Sequence, residues 1–301
     1  MYYLLYGFLY LLSLLPFFIL YTISDFACFI LYRVVGYRKK VVMNNLDIAF
    51  PEKATEEKIK IAKQFYKNLT DTVVETIKLI SLSDKGFDKR ITIDISGCDE
   101  LVAEGLNLQV HSGHQMNWEY AHLAFSRHVK IPWVGVYMTI ANKPMNRLFL
   151  KIRKKYNAVM LSTQDFKKDI RTIYNGRYAL ALIADQNPSN ANNAYWMYFF
   201  TKAAPFVAGS EKSAVKNGTA VVFVNFVKVK RGYYRFEPKV ITRNAKGLED
   251  GKLTTLYRDF LEECIRRQPE NYLWSHRRWK WDYRPIDHKK RWIDKNPPPL
   301  V

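Results

Sequence analysis

Cysteine is scarce in this chain and poorly placed for chemistry. Cys28, Cys98 and Cys264 are its only three, far apart and with no CxxC pair. They give no metal site, and an odd count argues against a disulfide framework. A reducing, cytoplasmic setting for the soluble part fits best. Acidic side chains are also short: 28 Asp and Glu stand against 47 Lys and Arg, a formal charge of +19. Such an excess is not a fold requirement; it predicts attraction to nucleic-acid phosphates, an anionic membrane surface or an acidic carrier protein. No nucleic-acid signature accompanies the charge. AGSEKSA, residues 208–214, lacks the G-x-S-x-G elbow that a serine hydrolase would need. Internal repeats, low-complexity tracts and obvious linkers are missing as well.

Charge is absent altogether from residues 1–24, MYYLLYGFLYLLSLLPFFILYTIS. Asp25 then stands alone until Arg33, and Arg38, Lys39 and Lys40 come next. About 20 apolar residues suffice to cross the hydrocarbon core of a bilayer. The basic start and small-residue end of a cleaved signal peptide are lacking. Basic residues after the run favour keeping the rest of the chain on the cytoplasmic side. Pro16 implies a kink, so a partly inserted anchor stands beside a full span, and a buried core helix is the bland alternative. The expected organisation is a membrane anchor over 1–32 and one domain over 33–301.

The remainder is well supplied with core-forming residues: 48% of the 301 are apolar and 15% aromatic. Residues 55–80 expect a helix, with Glu56 and Glu57 at its start and Ile59, Ala62, Phe65 and Leu69 at helical spacing. Short β-rich runs lie at 91–96, 106–112, 133–138, 158–162, 178–184 and 219–229. Helix-like segments lie near 118–128, 142–155, 164–175, 210–217 and 249–267. Alternation of this kind predicts an α/β fold with a mixed, mostly parallel central sheet flanked by helices. Ligands of such sheets gather beyond the carboxyl ends of the strands. HSGH after LNLQV, and DQNP after YALALIA, occupy such positions.

The stretch HSGHQMNWEY, 111–120, is the chemical centre of the sequence. A histidine backed by a carboxylate can take a proton from a hydroxyl. His114 and Glu119 are five positions apart, about 140° around a continuous helix, so they meet only if His114 sits in the turn ahead of the helix and Glu119 within its first turns. The carboxylate would then hold one imidazole N–H and leave the other nitrogen free. The nucleophile in that arrangement is the substrate's own hydroxyl. Read alone, H-x4-E also fits an ordinary hydrogen-bonded histidine at a helix start.

HQMNWE resembles the H-x4-(D/E) element of membrane glycerolipid and lipid A acyltransferases, and is most similar to the late, secondary acyltransferases of lipid A biosynthesis with their H-x-G-N-W-E. Four further stretches resemble that family in order: VYMTIANKPMNR (136–147), ALIADQNP (181–188), YFFTKAAPFVAGSEKSAVKNGTAVVFV (198–224) and ENYLWSHRRWK (270–280). The resemblance implies transfer of an acyl chain from acyl carrier protein to a hydroxyl of a membrane-bound lipid A precursor, at the cytoplasmic face of a bacterial inner membrane. His114 is then the general base and Glu119 its orienting, charge-stabilising partner, with no metal or cofactor required. An acidic carrier and a phosphorylated glycolipid would both be attracted by the positive charge.

The chain departs from the family pattern at Met138, which replaces an arginine; Arg147 or Arg153 from the following helix is the expected substitute. Met116, Asn146 and Thr201 are further departures. Asn117 is expected to order the turn beneath His114, and His111 to pack. Asp185 reads as a strand-end cap or a substrate-site residue, Asp165 as a weaker acidic candidate, and Gly209 as a helix start able to hold phosphate. Arg277 and Arg278, among Trp274, Trp279 and Trp281, are candidates for gripping lipid phosphate or for a solvated basic surface. Two rivals remain open from sequence: an acyltransferase for a lysophospholipid or aminolipid, and a non-enzymatic membrane-tethered binder of anionic ligands.

Overall fold

A computed structural model describes residues 2–298; Met1 of the expected anchor and residues 299–301 of the expected domain lie outside it. The chain opens with α1 (Tyr2–Leu14) and α2 (Phe17–Phe29), broken at Pro16 as the proline requires. The apolar helical stretch Phe17–Val34 is long enough to cross a membrane. Helices α3 (Lys39–Ala49), α4 (Thr55–Lys78) and α5 (Asp84–Asp88) come next. The Glu57 carboxylate accepts the Ala54 N–H at 3.1 Å and so caps the start of α4.

Strands and helices then alternate: β1 (Ile91–Ile93), α6 (Ser96–Ala103), β2 (Leu108–Ser112), α7 (Trp118–His128), β3 (Trp133–Tyr137), α8 (Lys143–Arg153), β4 (Val159–Ser162), α9 (Phe166–Tyr174) and β5 (Ala179–Ile183). A hairpin of β6 (Tyr195–Phe199) and β7 (Lys202–Phe206) leads to α10 (Gly209–Asn217). The chain ends with β8 (Ala220–Lys230), β9 (Tyr233–Thr242), α11 (Lys252–Arg267) and the short α12 (Pro285–His288).

Seven strands form one sheet in the order β1-β9-β8-β2-β5-β3-β4. Five neighbouring pairs are parallel, and only β8 and β9 run antiparallel. All six apolar runs expected as strands are strands, although the first stops at Ile93 because Ser96 already begins α6. The parallel strands are covered on both sides. Along β8, Val221 and Phe223 enter one core with α4 and α11, while Val222 and Val224 enter the other with α7.

Helix α2 is fastened to α4 by polar groups on its inner side. Ser24 donates to Asp71 at 2.8 Å, the Tyr21 hydroxyl donates to Glu75 at 3.0 Å, and Arg231 bridges Asp25 and Asp71. Its outer side is bare apolar surface, with Phe18, Phe26 and Phe29 exposed; α1 adds Leu4, Phe8 and Leu11. Burial of polar groups inward and of nothing outward leaves a continuous greasy face on these two helices.

Candidate active site

Register brings two distant turns together. Strands β2 and β5 are parallel neighbours, with His111 opposite Leu182 and Ser112 opposite Ile183. Two residues beyond each member of the second pair, His114 and Asp185 therefore emerge side by side at the carboxyl end of the sheet. Asp185 is fully buried; its Oδ1 lies 2.6 Å from His114 Nδ1, and its Oδ2 accepts the His114 backbone N–H at 2.9 Å. The Tyr272 hydroxyl faces the same carboxylate and helps to lower it. Burial pushes the Asp185 carboxyl upward, but the His114 ring and these hydrogen bonds outweigh it and hold the group at about 2. Asp185 is thus a fixed anion, and His114 carries its proton on Nδ1 toward it. Among the described residues nothing bonds the other ring nitrogen, and the side chain is 22% exposed.

The expected partner of His114 is corrected here. Asn117 caps α7 by accepting the N–H groups of Glu119 at 3.1 Å and Tyr120 at 3.3 Å, which places Glu119 in the first helical turn as expected. Its carboxylate, however, turns to Arg153, accepting Nε at 2.9 Å and Nη2 at 2.5 Å, and also accepts the Trp118 indole N–H at 3.2 Å. A fork of guanidinium donors satisfies a buried carboxylate better than one imidazole N–H can. The orienting contact on His114 belongs to Asp185.

The turn carrying His114 is braced by the segment after α11. The Leu273 N–H donates to the His114 carbonyl at 3.0 Å, and the Met116 N–H donates to the Asn271 carbonyl at 2.9 Å. Gly113 lets the turn pack close against α11 itself: a Cβ there would lie 2.4 Å from Leu261 Cδ1. Asn117 is fully buried and donates to Glu75 at 3.0 Å, tying the turn to α4. Tyr272 and Glu75 have no distinguishing mark in the sequence. Tyr272 lies inside a stretch that stands out only as a whole, and Glu75 inside an ordinary amphipathic helix.

His114, Glu119 and Arg153 line one cavity of about 400 Å³ between α7 and the strand ends. Much of its wall is apolar, including Val110, Phe125, Trp133, Met160 and Phe226. Met138 also lines it, so the position that lacks the family's arginine does border the cavity, and Arg153 is the cation there. Arg147 is not among the lining residues; its guanidinium lies 4.2 Å over the Tyr2 ring of α1.

The other expected site residues lie apart from this cavity. Asp165 accepts the Ser162 hydroxyl at 2.7 Å and serves the turn before α9. Gly209 does begin α10 but is not in the lining. Arg278 is 1% exposed, donates to the Pro205 carbonyl at 2.9 Å and sits 4.4 Å over Phe206. It is a core cation, so the expected grip on lipid phosphate is corrected for Arg278. Arg277 is exposed beside it, its carbonyl accepting Asn187 Nδ2 at 2.6 Å. His111 packs as expected: once the Gln109 amide is turned to satisfy both its ends, its nitrogen donates to His111 Nε2 at 2.9 Å. Burial drives that imidazole down to about 4. Among the described residues no group of His, Cys, Asp and Glu could hold a metal ion.

Comparison with known proteins finds relatives along most of the chain. The chain is 24% identical over 282 residues to the lipid A biosynthesis lauroyltransferase of Escherichia coli K12, covering 91% of this chain and 89% of that protein. It is 23% identical over 263 residues to the lipid A biosynthesis palmitoleoyltransferase of the same organism, covering 85% and 82% respectively. A lipid A biosynthesis acyltransferase of Shigella flexneri matches over the same shares at 23% identity. The family described as bacterial lipid A biosynthesis acyltransferase matches residues 1–281, and this chain belongs to that family.

Proposed function

We propose that this acyltransferase of lipid A biosynthesis moves a fatty acyl chain from the thioester of acyl carrier protein to a hydroxyl of a lipid A precursor, with His114 as general base. The observation that carries this reading is an imidazole fixed at Nδ1 by the buried Asp185 and, among the described residues, unbonded at its other nitrogen, in the wall of an apolar cavity. His114 Nε2 takes the acceptor's hydroxyl proton as its oxygen attacks the thioester carbonyl. The imidazolium that forms faces Asp185, whose charge stabilises it. The C–S bond breaks as the tetrahedral oxyanion collapses, His114 returns the proton to the leaving thiolate, and an ester remains.

Arg153, locked by Glu119 in the cavity wall, is assigned to the developing oxyanion, which gives Glu119 an indirect part in place of a direct hold on His114. The apolar wall of the cavity suits the acyl chain. The outer faces of α1 and α2 bury into the inner membrane, presenting the site at its cytoplasmic face, where the acceptor resides. The excess positive charge favours the encounter with an acidic carrier and an anionic membrane.

The test is transfer by the purified protein in phospholipid micelles, from acyl carrier protein to a lipid A precursor, read by mass spectrometry. Wild type should add one chain, and His114→Ala should lose activity by at least about a thousandfold while still folding, with a lowered melting temperature because the buried Asp185 loses its partner. Full transfer by His114→Ala would end the proposal.

A further inference from the structure

We propose that a second groove, between α1 and α8, is a binding site for the phosphate of an anionic phospholipid headgroup. The groove has a volume of about 410 Å³ and is lined by Tyr2, Tyr3, Tyr6, Leu150, Arg147, Lys151 and Lys154. None of these residues borders the His114 cavity. The inference does not depend on His114 being the base.

Positions 147, 151 and 154 are spaced four and three apart, so their side chains share one face of α8 and its last turn. All three are exposed. Of the neighbouring cations at the end of α8, Arg153 pairs with Glu119 and Lys155 lies 3.3 Å from Asp84. Arg147, Lys151 and Lys154 form no ion pair among the described residues; the first two contact tyrosines instead. Arg147 lies 4.2 Å over the Tyr2 ring and Lys151 4.0 Å over the Tyr6 ring. Three like charges on one face repel one another, and the rings hold two of them converged without discharging them. A phosphate oxyanion completes the set, with bidentate donation from Arg147 and point charges from the lysines.

The depth of the groove identifies the source of that phosphate. On α1, next to these tyrosines, Leu4 is 81% and Phe8 65% exposed. When these side chains enter hydrocarbon, the tyrosines and cations of the same groove stand at headgroup level, where such residues belong. A lipid phosphate is fixed at that level; a soluble phosphate is not. The site also sits on the helix that ends in Arg153, so a bound headgroup sets the height of the catalytic cavity above the membrane.

The experiment is co-flotation of the full chain with vesicles of phosphatidylcholine alone or mixed with phosphatidylglycerol. Wild type should prefer the mixed vesicles. Arg147→Gln/Lys151→Gln/Lys154→Gln should lose on the order of a hundredfold in partition to them, since each basic residue at an anionic surface contributes roughly fivefold. Its partition to neutral vesicles should be unchanged. A control with equal charge loss elsewhere, Lys216→Gln/Lys239→Gln/Lys246→Gln, should lose less than about threefold. Equal losses in both variants would mean diffuse attraction and overturn the site. Competition of wild-type binding by inorganic phosphate would overturn the lipid assignment. A single Arg147→Lys substitution keeps the charge and should still lose several-fold; no loss would remove the bidentate contact from the argument.

Discussion

Asp185 grips His114 at both ends, with one carboxylate oxygen 2.6 Å from the imidazole Nδ1 and the other 2.9 Å from the backbone N–H. Side chain and turn are therefore set by one buried anion. Asp185→Asn should preserve the fold and lower kcat by roughly 10²–10⁴, because the amide can hold the ring in the wrong tautomer and cannot balance the imidazolium. KM for the acyl donor should change little, since the carboxylate is sealed behind the ring. Steady-state kinetics separate the two constants, and an unchanged kcat would remove Asp185 from the mechanism.

Glu119 is bonded to Arg153 at 2.9 Å, so in the proposed mechanism the two should behave as a unit. Removing either partner alone strands a buried charge, at a cost of roughly 3–5 kcal/mol in stability. Glu119→Leu combined with Arg153→Met removes both charges and should recover much of that loss in a double-mutant cycle. Activity should fall similarly in Glu119→Leu, Arg153→Met and the pair. If Glu119→Leu reduced activity further in a background already lacking Arg153, a separate hold of Glu119 on His114 would be indicated.

The strands were legible because parallel strands covered on both faces read as unbroken apolar runs, which is why β2, β5 and β8 stood out. The missed elements carry other signals. Strand β9 alternates exposed charge with burial and contains Pro238, which is tolerated because it lies beyond Tyr234–Phe236, the only β9 residues that β1 pairs among the described residues. The β6–β7 turn lacks the usual Asn-Gly; Phe200 itself takes the left-handed conformation, at φ 54°. In the site, H-x4-E drew attention to the nearest carboxylate in sequence. The true partner of His114 is 71 residues away, and no local spacing encodes that β2 and β5 are neighbours in register.

Acid should destabilise the protein well above the carboxylate range. Burial lowers His111 to about 4 and His276 to about 4, and also lowers His122. A group depressed in the folded state is protonated first in the unfolded chain, so stability is full above the unfolded value of 6.5 and declines as pH falls toward 4. A drop of that size at the fully buried His111 corresponds to about 3 kcal/mol. Thermal melts from pH 7 to pH 4 should show the decline. His111→Gln should flatten its slope by the share of one histidine, leaving the contributions of His122 and His276; an unaltered slope would mean that His111 is not the buried neutral group described.

Gly135 on β3 offers a way to read which part of the substrate fills the cavity. It lines the apolar wall, and a Cβ there would lie 2.9 Å from His122 Cε1 and 3.0 Å from the Met160 Sδ and Cε atoms. Met160 is a flexible side chain that also lines the cavity, so in Gly135→Ala its tip is driven into that space. The His122 ring, held by the Arg153 carbonyl and the Trp133 indole N–H, must give by a few tenths of an ångström, at some cost in stability. The added methyl should therefore shorten the space for an acyl chain by about one or two methylenes, each worth about 0.8 kcal/mol of burial. Competing acyl carrier proteins loaded with chains of different length should reveal a preference shifted to shorter donors, by roughly fourfold per methylene lost. The acceptor's KM should stay as in wild type. A changed acceptor KM with the same chain-length preference would place the glycolipid, not the acyl chain, against Gly135.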